Sequence, residues 1–387
     1  MKAAVFHKPG DISYDTVEDP RIEDAGDVIL KVTSTAICGS DLHILDGGIP
    51  QASDMIVGHE FMGIVEEVGP GVKRLNRGDR VVVPFPIACG HCFFCIHNSP
   101  VNCENSNHEH YGPNGDLLDQ KGGALFGYTD LYGGYSGGQA QYVRVPYADV
   151  NPRLVPDNLT DDQVLFLTDI FPTGWSAIDW AQMKGGETVA IFGSGPVGLM
   201  AQKAAWLNGA SRVIAVDPLE YRLERARTVN KVETVNPHEV DAIEYIRQAT
   251  GGRGADVCVD AVGFEAERSF FDKVKATINF EKGTIKVIDA CFKAVRRNGT
   301  VSIVGVYGTP FDNFPLHRMF DKGITIKQGQ APVTNYIDHL IELVKSEKVV
   351  LNDIISHRLP LSQVSHAYDI FKNKEEDCVK VVLNPWE

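Results

Sequence analysis

The stretch between residues 188 and 217 limits the possible folds of this 387-residue chain more than any other feature. It contains a glycine-rich turn, Gly193-Ser194-Gly195-Pro196-Val197-Gly198. Apolar segments on either side of that turn predict a strand, a helix and a second strand; they are Thr188–Phe192, Leu199–Asn208 and Arg212–Val216. This order, with G-x-G-x-x-G between strand and helix, predicts a doubly wound α/β domain with a parallel sheet.

Each part of this motif has a physical role in binding a dinucleotide. Gly193 permits the tight turn, Gly195 lets the backbone approach the pyrophosphate, and Gly198 brings the helix against the strand. The free amides of the first helical turn then face the phosphates. Asp217, about twenty residues further on, would accept hydrogen bonds from both ribose hydroxyls. Because a 2'-phosphate would meet this carboxylate, the sequence predicts NAD rather than NADP.

Length and composition predict two domains, each large enough for its own core. A formal net charge of -14, from 51 acidic and 37 basic side chains, disfavours nucleic acid as a partner. No apolar run approaches the roughly 20 residues that span a bilayer, and Met1–Phe6 is too short for a secretory core. We therefore expect a cytoplasmic protein with reduced thiols and no membrane partner.

Four cysteines lie within fifteen residues in the pattern C-x2-C-x2-C-x7-C: Cys89, Cys92, Cys95 and Cys103. Thiolates at these spacings can close a tetrahedral cage around Zn²⁺, with bonds of about 2.3 Å. A disulfide is disfavoured in a reducing compartment. An iron–sulfur cluster is disfavoured because no proline follows the fourth cysteine at short spacing. The pattern predicts a structural zinc lobe at residues 89–103.

Short β-branched runs predict a small barrel or sandwich before residue 153. These runs are Val28–Val32, Gly63–Val68, Arg80–Val83 and Ala140–Val145. Two predicted loops interrupt them, Cys38–His43 and Gly58–Glu60, and each carries a possible metal ligand. By themselves, Cys38 and His59 are better explained as a buried thiol and a hydrogen-bonded histidine.

Four motifs follow one another along the chain: Cys38–His43, Gly58–Glu60, the four cysteines at 89–103 and the glycine-rich turn Gly193–Gly198. In this order and at these intervals they resemble the zinc-containing medium-chain alcohol dehydrogenase family over essentially the whole chain. The resemblance implies a GroES-like β-barrel catalytic domain at residues 1–156 and 312–387, and a Rossmann NAD-binding domain at residues 157–311. The segment Gly127–Ala140 further resembles the branch of glutathione-independent formaldehyde dehydrogenases. An insertion covers the cofactor in that branch, so residues 265–286 have the same expected role, with a surface helix of no function as the alternative.

The resemblance implies a catalytic zinc with Cys38, His59 and Asp169 as its protein ligands and one open position. Asp169 takes the place of a cysteine, as in the formaldehyde dehydrogenase branch; a helix cap or a surface acid is the alternative. Glu60 is a rival or a transient fourth ligand. Asp41 would hold the ring of His59 so that its other nitrogen faces the metal.

A proton relay is implied in the same way. Ser40 would take the substrate proton, which would pass through the nicotinamide ribose to His43 and then to water; a solvent-facing histidine without a role is the alternative for His43. The remaining implied residues contact the cofactor or line the substrate slot. They are Thr173, Pro196, Val197, Arg222 and Arg358 for the cofactor, and Phe85 for the substrate.

These features predict a zinc-dependent oxidoreductase that moves hydride from an alcohol or hydrated aldehyde to NAD, with zinc lowering the pKa of the substrate oxygen. Alternatives within the same machinery are a formaldehyde dehydrogenase or dismutase with tightly held NAD, and a threonine or polyol dehydrogenase. A quinone reductase is disfavoured because it needs no metal ligands, and a non-enzymatic zinc and nucleotide sensor because it needs no proton relay. The resemblance also implies a homo-oligomer, with a tetramer favoured over a dimer.

Overall fold

The structure is a computed structural model that describes residues 1–49, 51, 54–107, 122–263, 285–307 and 314–387. Two compact units divide the chain: the first unit comprises Met1–Pro172 and Pro332–Glu387, and the second unit comprises Thr173–Ala331. Nearly all of the segment 265–286, which was expected to cover the cofactor, lies outside the described residues.

The N-terminal part of the first unit consists mainly of short strands. They are Lys2–Lys8 (β1), Asp11–Thr16 (β2), Val28–Ala36 (β3), Met55–Ile56 (β4), Glu60–Val68 (β5), Arg80–Val83 (β6), Pro86–Ile87 (β7), Ala124–Leu125 (β8), Tyr142–Val145 (β9) and Arg153–Leu154 (β10). Helical segments between them are Gly39–Leu45 (α1) and Phe93–Ile96 (α2), with 3-10 turns at Pro100–Asn102 and Asp130–Tyr132; Asp161–Val164 (α3) and a 3-10 turn at Leu165–Leu167 follow β10. Strand β3 is the centre of this part, because it pairs antiparallel with both β5 and β9.

The second unit alternates strands and helices, as the sequence predicted. Its strands are Thr188–Phe192 (β11), Arg212–Val216 (β12), Glu233–Val235 (β13), Ala255–Asp260 (β14), Val295–Ile303 (β15) and Thr325–Gln328 (β16). The helices of this part of the chain are Ile170–Asp179 (α4), Pro196–Leu207 (α5), Glu220–Asn230 (α6), Ala242–Ala249 (α7), Lys286–Ala294 (α8) and Leu316–Lys322 (α9). All six strands are parallel, in the order β13-β12-β11-β14-β15-β16. This is the doubly wound order of a dinucleotide-binding sheet, so the predicted fold class of this unit is confirmed.

The last part of the chain completes the first unit. Its elements are Val333–Lys345 (α10), His357–Pro360 (β17), Val364–Asn373 (α11) and Val381–Asn384 (β18), with 3-10 turns at Asn352–Ile354 and Leu361–Gln363. The larger sheet has the order β10-β6-β5-β3-β18-β17, and smaller sheets have the orders β2-β1-β4 and β7-β8. Val28, Leu30 and Val32 alternate along β3 and are fully buried in the core, as expected of a strand with one face inward.

Two sequence-based expectations differ from the structure. The predicted boundaries at residues 156 and 312 fall before those of the compact units, because the turn Leu165–Leu167 packs against β3 and β5, and because β16 pairs with β15. The stretch Cys38–His43 was expected to be a loop, but α1 begins directly after Cys38.

Among the described residues, no helix combines the length and the apolar character that a membrane span requires.

Candidate metal centres and cofactor-binding loop

Three segments of the first unit bring possible metal ligands together. Cys38 caps the N-terminus of α1, His59 precedes the first residue of β5, and Asp169 lies just before α4. Because Ala36 of β3 pairs with Glu60 of β5, the residues that follow one strand and precede the other lie side by side. The sheet register therefore places Cys38 close to His59.

The distances within this group fit a single bound ion. Asp169 Oδ2 lies 3.3 Å from Cys38 Sγ and 3.2 Å from His59 Nε2. Together with Glu60, these residues offer ligand atoms that all lie within 4.8 Å of one another, and all four residues are buried. Zinc bonds of about 2.0–2.3 Å put neighbouring ligand atoms roughly 3–4 Å apart. The mixed sulfur, nitrogen and oxygen donors therefore fit zinc.

The electrostatics of this group also favour a cation. Burial raises the pKa of the Cys38 thiol to about 12, and the neighbouring Asp169 carboxylate contributes to the rise. Burial likewise raises the pKa of Glu60, although Lys380 opposes this shift. Without a cation, the buried thiol and the two carboxylates disfavour one another's charged forms, so a divalent ion would supply the missing compensation.

A buried ion pair beside these donors was not anticipated from the sequence. Lys380 Nζ donates to Glu60 Oε1 at 2.6 Å and to the carbonyl oxygen of Ile37 at 2.7 Å. Both side chains are fully buried. Within the described part of the chain, Glu60 Oε2 has no hydrogen-bond partner, so this oxygen is a candidate fourth donor. The pair joins residues 320 positions apart, and no local pattern could have revealed it.

The ring of His59 is oriented by a neighbour on α1. Asp41 Oδ1 lies 3.2 Å from His59 Nδ1, which is an ion-pair distance although the contact lacks hydrogen-bond geometry. The other oxygen, Asp41 Oδ2, accepts a hydrogen bond from the backbone N–H of Cys38 at 2.9 Å. With its Nδ1 facing this carboxylate, His59 presents Nε2 to the other donors.

Other predicted site residues surround this ring. Ser40 Oγ lies 3.2 Å from His59 Nε2. His43 is one helical turn further along α1 and is only 5% exposed, which is inconsistent with the alternative of a solvent-facing histidine. Phe85 is buried, with its ring centroid 5.9 Å from that of His59. Tyr128, which the sequence analysis did not assign to the site, lies at 6.1 Å on the same measure.

The four clustered cysteines form a second group of donors. The Sγ–Sγ distance is 3.9 Å both for Cys89 with Cys95 and for Cys92 with Cys103, and all four sulfurs lie within 4.8 Å of one another. A tetrahedral cage with bonds of about 2.3 Å has edges of roughly 3.8 Å, so the group fits zinc closely. Asn105 Nδ2 donates to Cys89 Sγ at 3.3 Å and helps to orient that ligand.

The glycine motif of the second unit has the backbone geometry that its sequence requires. Gly193 has a φ of +99°, which favours glycine. A Cβ atom on Gly198 would lie 2.0 Å from the carbonyl oxygen of Gly193, so only glycine allows this close approach. Asp217 accepts hydrogen bonds from the backbone N–H groups of Ser194 at 2.8 Å and Leu219 at 2.9 Å. The acidic residue is thus anchored beside the loop.

The remaining predicted cofactor residues have varied surroundings. Arg222 Nη1 lies 3.8 Å from Asp217 Oδ2. Pro196 and Val197 form the first turn of α5, and both are partly buried, as is Thr173 on α4. Arg358, on β17, forms an exposed ion pair of 2.5 Å with Asp162. Contacts of these residues with NAD stay a prediction.

Comparison with known proteins adds an independent line of evidence. Residues 24–157 match the family model "Alcohol dehydrogenase GroES-like domain", and residues 196–278 match "Zinc-binding dehydrogenase". The chain is 45% identical to the uncharacterized zinc-type alcohol dehydrogenase-like protein AdhB of Bacillus subtilis, over 100% of both proteins. It is 39% identical to the glutathione-independent formaldehyde dehydrogenase of the same organism, over 73% of this chain and 65% of that protein. Among solved structures, the alcohol dehydrogenase TADH from Thermus sp. ATN1 matches with a TM-score of 0.85 and 34% identity, over 99% of both chains.

Proposed function

The chain belongs to the zinc-type alcohol dehydrogenase family of NAD(P)-dependent oxidoreductases, and we propose that it oxidises a primary or secondary alcohol, or a hydrated aldehyde, with NAD. The convergence of Cys38, His59 and Asp169 in one buried group is the observation that carries this proposal. When bound, zinc would polarise a substrate oxygen, and the nicotinamide of NAD would accept hydride.

The protein's own side chains have distinct tasks in this proposal. Cys38, His59 and Asp169 hold the catalytic ion, with Glu60 Oε2 as a possible additional donor. Ser40 takes the proton from the substrate hydroxyl, and its place beside His59 supports this task. His43 passes the proton on towards water, and its place one helical turn from Ser40 on α1 supports this task.

The four-cysteine group has a structural task in the same proposal. Its four sulfur donors leave no position open for substrate, which is typical of zinc sites that stabilise a fold. Cys89, Cys92, Cys95 and Cys103 would therefore hold a zinc ion that keeps residues 89–103 folded and takes no part in hydride transfer.

The preference for NAD rests on Asp217. This carboxylate is 3% exposed and is fixed by two backbone N–H groups, so it cannot easily turn away from a 2'-phosphate. Arg222 lies close enough to offset part of the negative charge. We expect kcat/KM to be at least about tenfold higher with NAD than with NADP, which corresponds to about 1.4 kcal/mol. An equal or higher value with NADP would contradict the assignment.

The decisive experiment combines metal analysis with an assay. Purified protein is denatured, its zinc and released NAD(H) are quantified, and the native protein is assayed at 340 nm with alcohols and aldehydes, with and without added NAD. We expect two zinc ions per chain and alcohol-dependent NADH formation. Zinc and nucleotide binding without turnover of any substrate would instead favour a sensor.

Formaldehyde dehydrogenase is the second candidate function. The 39% identity to a formaldehyde dehydrogenase over 73% of this chain favours it, as does the acidic residue Asp169 at the expected position of the third ligand. Formaldehyde hydrate is a diol, so the same centre could oxidise it. Gel filtration before the assay tests this candidate: retained NAD, and formaldehyde consumption without net NADH, would indicate a dismutase. Threonine and polyols belong in the same panel of substrates.

Assembly and location complete the proposal. We infer a cytoplasmic homo-oligomer, with a tetramer favoured over a dimer, and this inference rests on the family resemblance. Two exposed apolar side chains of α2 support the inference of an oligomer, because such side chains are typical of contact surfaces between subunits. Phe93 is 58% exposed and Ile96 is 63% exposed. Light scattering of the purified protein would measure the mass directly, and a monomer would contradict the inference.

A further inference from the structure

Asp41, which faces His59, is itself held by two hydrogen bonds. Its Oδ2 atom accepts from the backbone N–H of Cys38 at 2.9 Å and from the side-chain amide of Gln139 at 3.3 Å. Asp41 is 2% exposed, so water contributes little to its solvation. Because both bonds converge on Oδ2, the carboxylate cannot rotate freely, and Oδ1 is kept on the side of His59 Nδ1.

The orientation of the Gln139 amide follows from its acceptors. Nε2 lies 3.3 Å from Asp41 Oδ2 and 3.3 Å from the carbonyl oxygen of Ala36, and both atoms can only accept hydrogen bonds. The NH₂ group must therefore face them, and Oε1 is left to accept a bond from elsewhere. The hydroxyl group of Tyr368 on α11 supplies that bond at 3.0 Å. Gln139 is fully buried, and Tyr368 is 1% exposed.

Gly58, next to His59, leaves the space that Gln139 occupies. A Cβ atom at residue 58 would lie 2.3 Å from Gln139 Cγ, closer than any side chain could tolerate. Gly58 also has a φ of +97°. The glycine of the Gly58-His59-Glu60 motif therefore has a packing role, which is to leave room for the buried side chain of Gln139.

We propose that Gln139 and Tyr368 are positioning residues of the metal centre, which fix Asp41 and through it the ring of His59. The chain of contacts runs from the Tyr368 hydroxyl through the Gln139 amide and the Asp41 carboxylate to His59 Nδ1. Neither residue is among the candidate metal ligands of this group. The inference rests on the proposed function, because it assumes that His59 binds the catalytic zinc.

The experiment measures the release of zinc to a chromogenic chelator from purified Tyr368→Phe, Gln139→Leu and double-variant proteins. The release phase that is missing in Asp169→Ala belongs to the catalytic site. Outer partners of metal ligands typically contribute about 10–100-fold to metal affinity. Gln139 is one step and Tyr368 two steps beyond Asp41, so we expect zinc release in this phase to be faster by about tenfold in Gln139→Leu and by about threefold in Tyr368→Phe.

The double variant tests whether the two residues act as one unit. If they do, Tyr368→Phe adds less than about twofold to release in the Gln139→Leu background, because the hydroxyl has already lost its acceptor. Additive effects would show that each side chain acts alone and would overturn the proposal.

A matched control separates positioning from general stability. Tyr245→Phe also removes one tyrosine hydroxyl, which donates to Glu233 at 3.1 Å in the second unit. We expect wild-type zinc release in this variant. The proposal fails if Tyr368→Phe and Gln139→Leu release zinc as slowly as wild type. A wild-type protein without the catalytic-site phase would instead refute the proposed function itself.

Discussion

The two groups of metal donors in the first unit are assembled in opposite ways. Cys89, Cys92, Cys95 and Cys103 come from fifteen consecutive residues and have one kind of donor atom. Cys38 and Asp169 of the other group are 131 positions apart, and the group mixes sulfur, nitrogen and oxygen. A local set of four sulfurs can close around an ion with little help from the fold. The long-range set depends on the sheet register and on buried polar contacts, and this dependence separates it from the four-cysteine set.

The largest effect that would test this contrast is on turnover. In Asp169→Asn, the side chain keeps its size but loses the charge that zinc requires. Since metal assistance contributes several kcal/mol to catalysis, we expect kcat/KM to fall roughly 10⁴-fold and zinc content to fall from two ions per chain to one. Steady-state kinetics and metal analysis measure both quantities.

A matched acidic residue provides the control for this variant. Asp321 pairs with Arg297 on the surface, so Asp321→Asn should keep full activity and both zinc ions. The chelator-treated forms of the two variants should unfold within about 1 kcal/mol of chelator-treated wild type. Full activity in Asp169→Asn would refute the ligand assignment.

The next effect concerns stability. Lys380→Met keeps the apolar stem but leaves the Glu60 carboxylate buried without its cation. Breaking a buried pair on one side costs about 3–5 kcal/mol, which urea unfolding would measure. The double variant Lys380→Met with Glu60→Gln should recover part of this loss, because the uncompensated charge is then gone.

The control for this prediction is a lysine in an exposed pair. Lys372 pairs with Asp46, and both side chains are more than a third exposed. Lys372→Met should therefore cost less than about 1 kcal/mol. If the two lysine variants lose equal stability, the buried pair of Lys380 with Glu60 contributes no more to the free energy of unfolding than an exposed pair does.

The smallest effect belongs to the local group. Asn105→Ala removes the hydrogen bond to Cys89 Sγ, and we expect about a tenfold loss of zinc affinity at the four-cysteine site with unchanged kcat. Asn102→Ala is the control, since Asn102 Nδ2 donates to Ser99 Oγ in the same lobe and not to a sulfur. A change in kcat for Asn105→Ala would mean that the two groups are coupled.

The contrast also explains how much could be predicted from the sequence. The four-cysteine group was visible because its spacing alone defines a cage. The strands Thr188–Phe192 and Arg212–Val216 were predicted to the residue, since buried parallel strands are continuous apolar runs with clear ends. By contrast, Cys38, His59 and Asp169 could be joined into one site only through a family resemblance.

What the sequence did not predict depends on contacts between distant residues or on exposed elements. Lys380, Gln139 and Tyr368 lie in segments whose local patterns describe only a strand, a turn and a helix, and their partners are about a hundred or more positions away. Strand β16 was missed because its short, mostly exposed run lacks the apolar signature of a central strand. Gly39 and Ser40 favour a loop at the start of α1, although Asp41 at the third helical position is typical of a helix start.

The buried pair of Glu60 with Lys380 has a consequence for how the protein is made. A ribosome that adds about 5–20 residues per second reaches Lys380 roughly 15–60 s after Glu60. During that interval the nascent chain already contains Cys38 and His59, while the carboxylate of Glu60 still lacks the ammonium group of Lys380. The long-range group of donors can therefore reach its final form only after Lys380 has been added, whereas all four sulfurs of the other group are present once Cys103 has been synthesised.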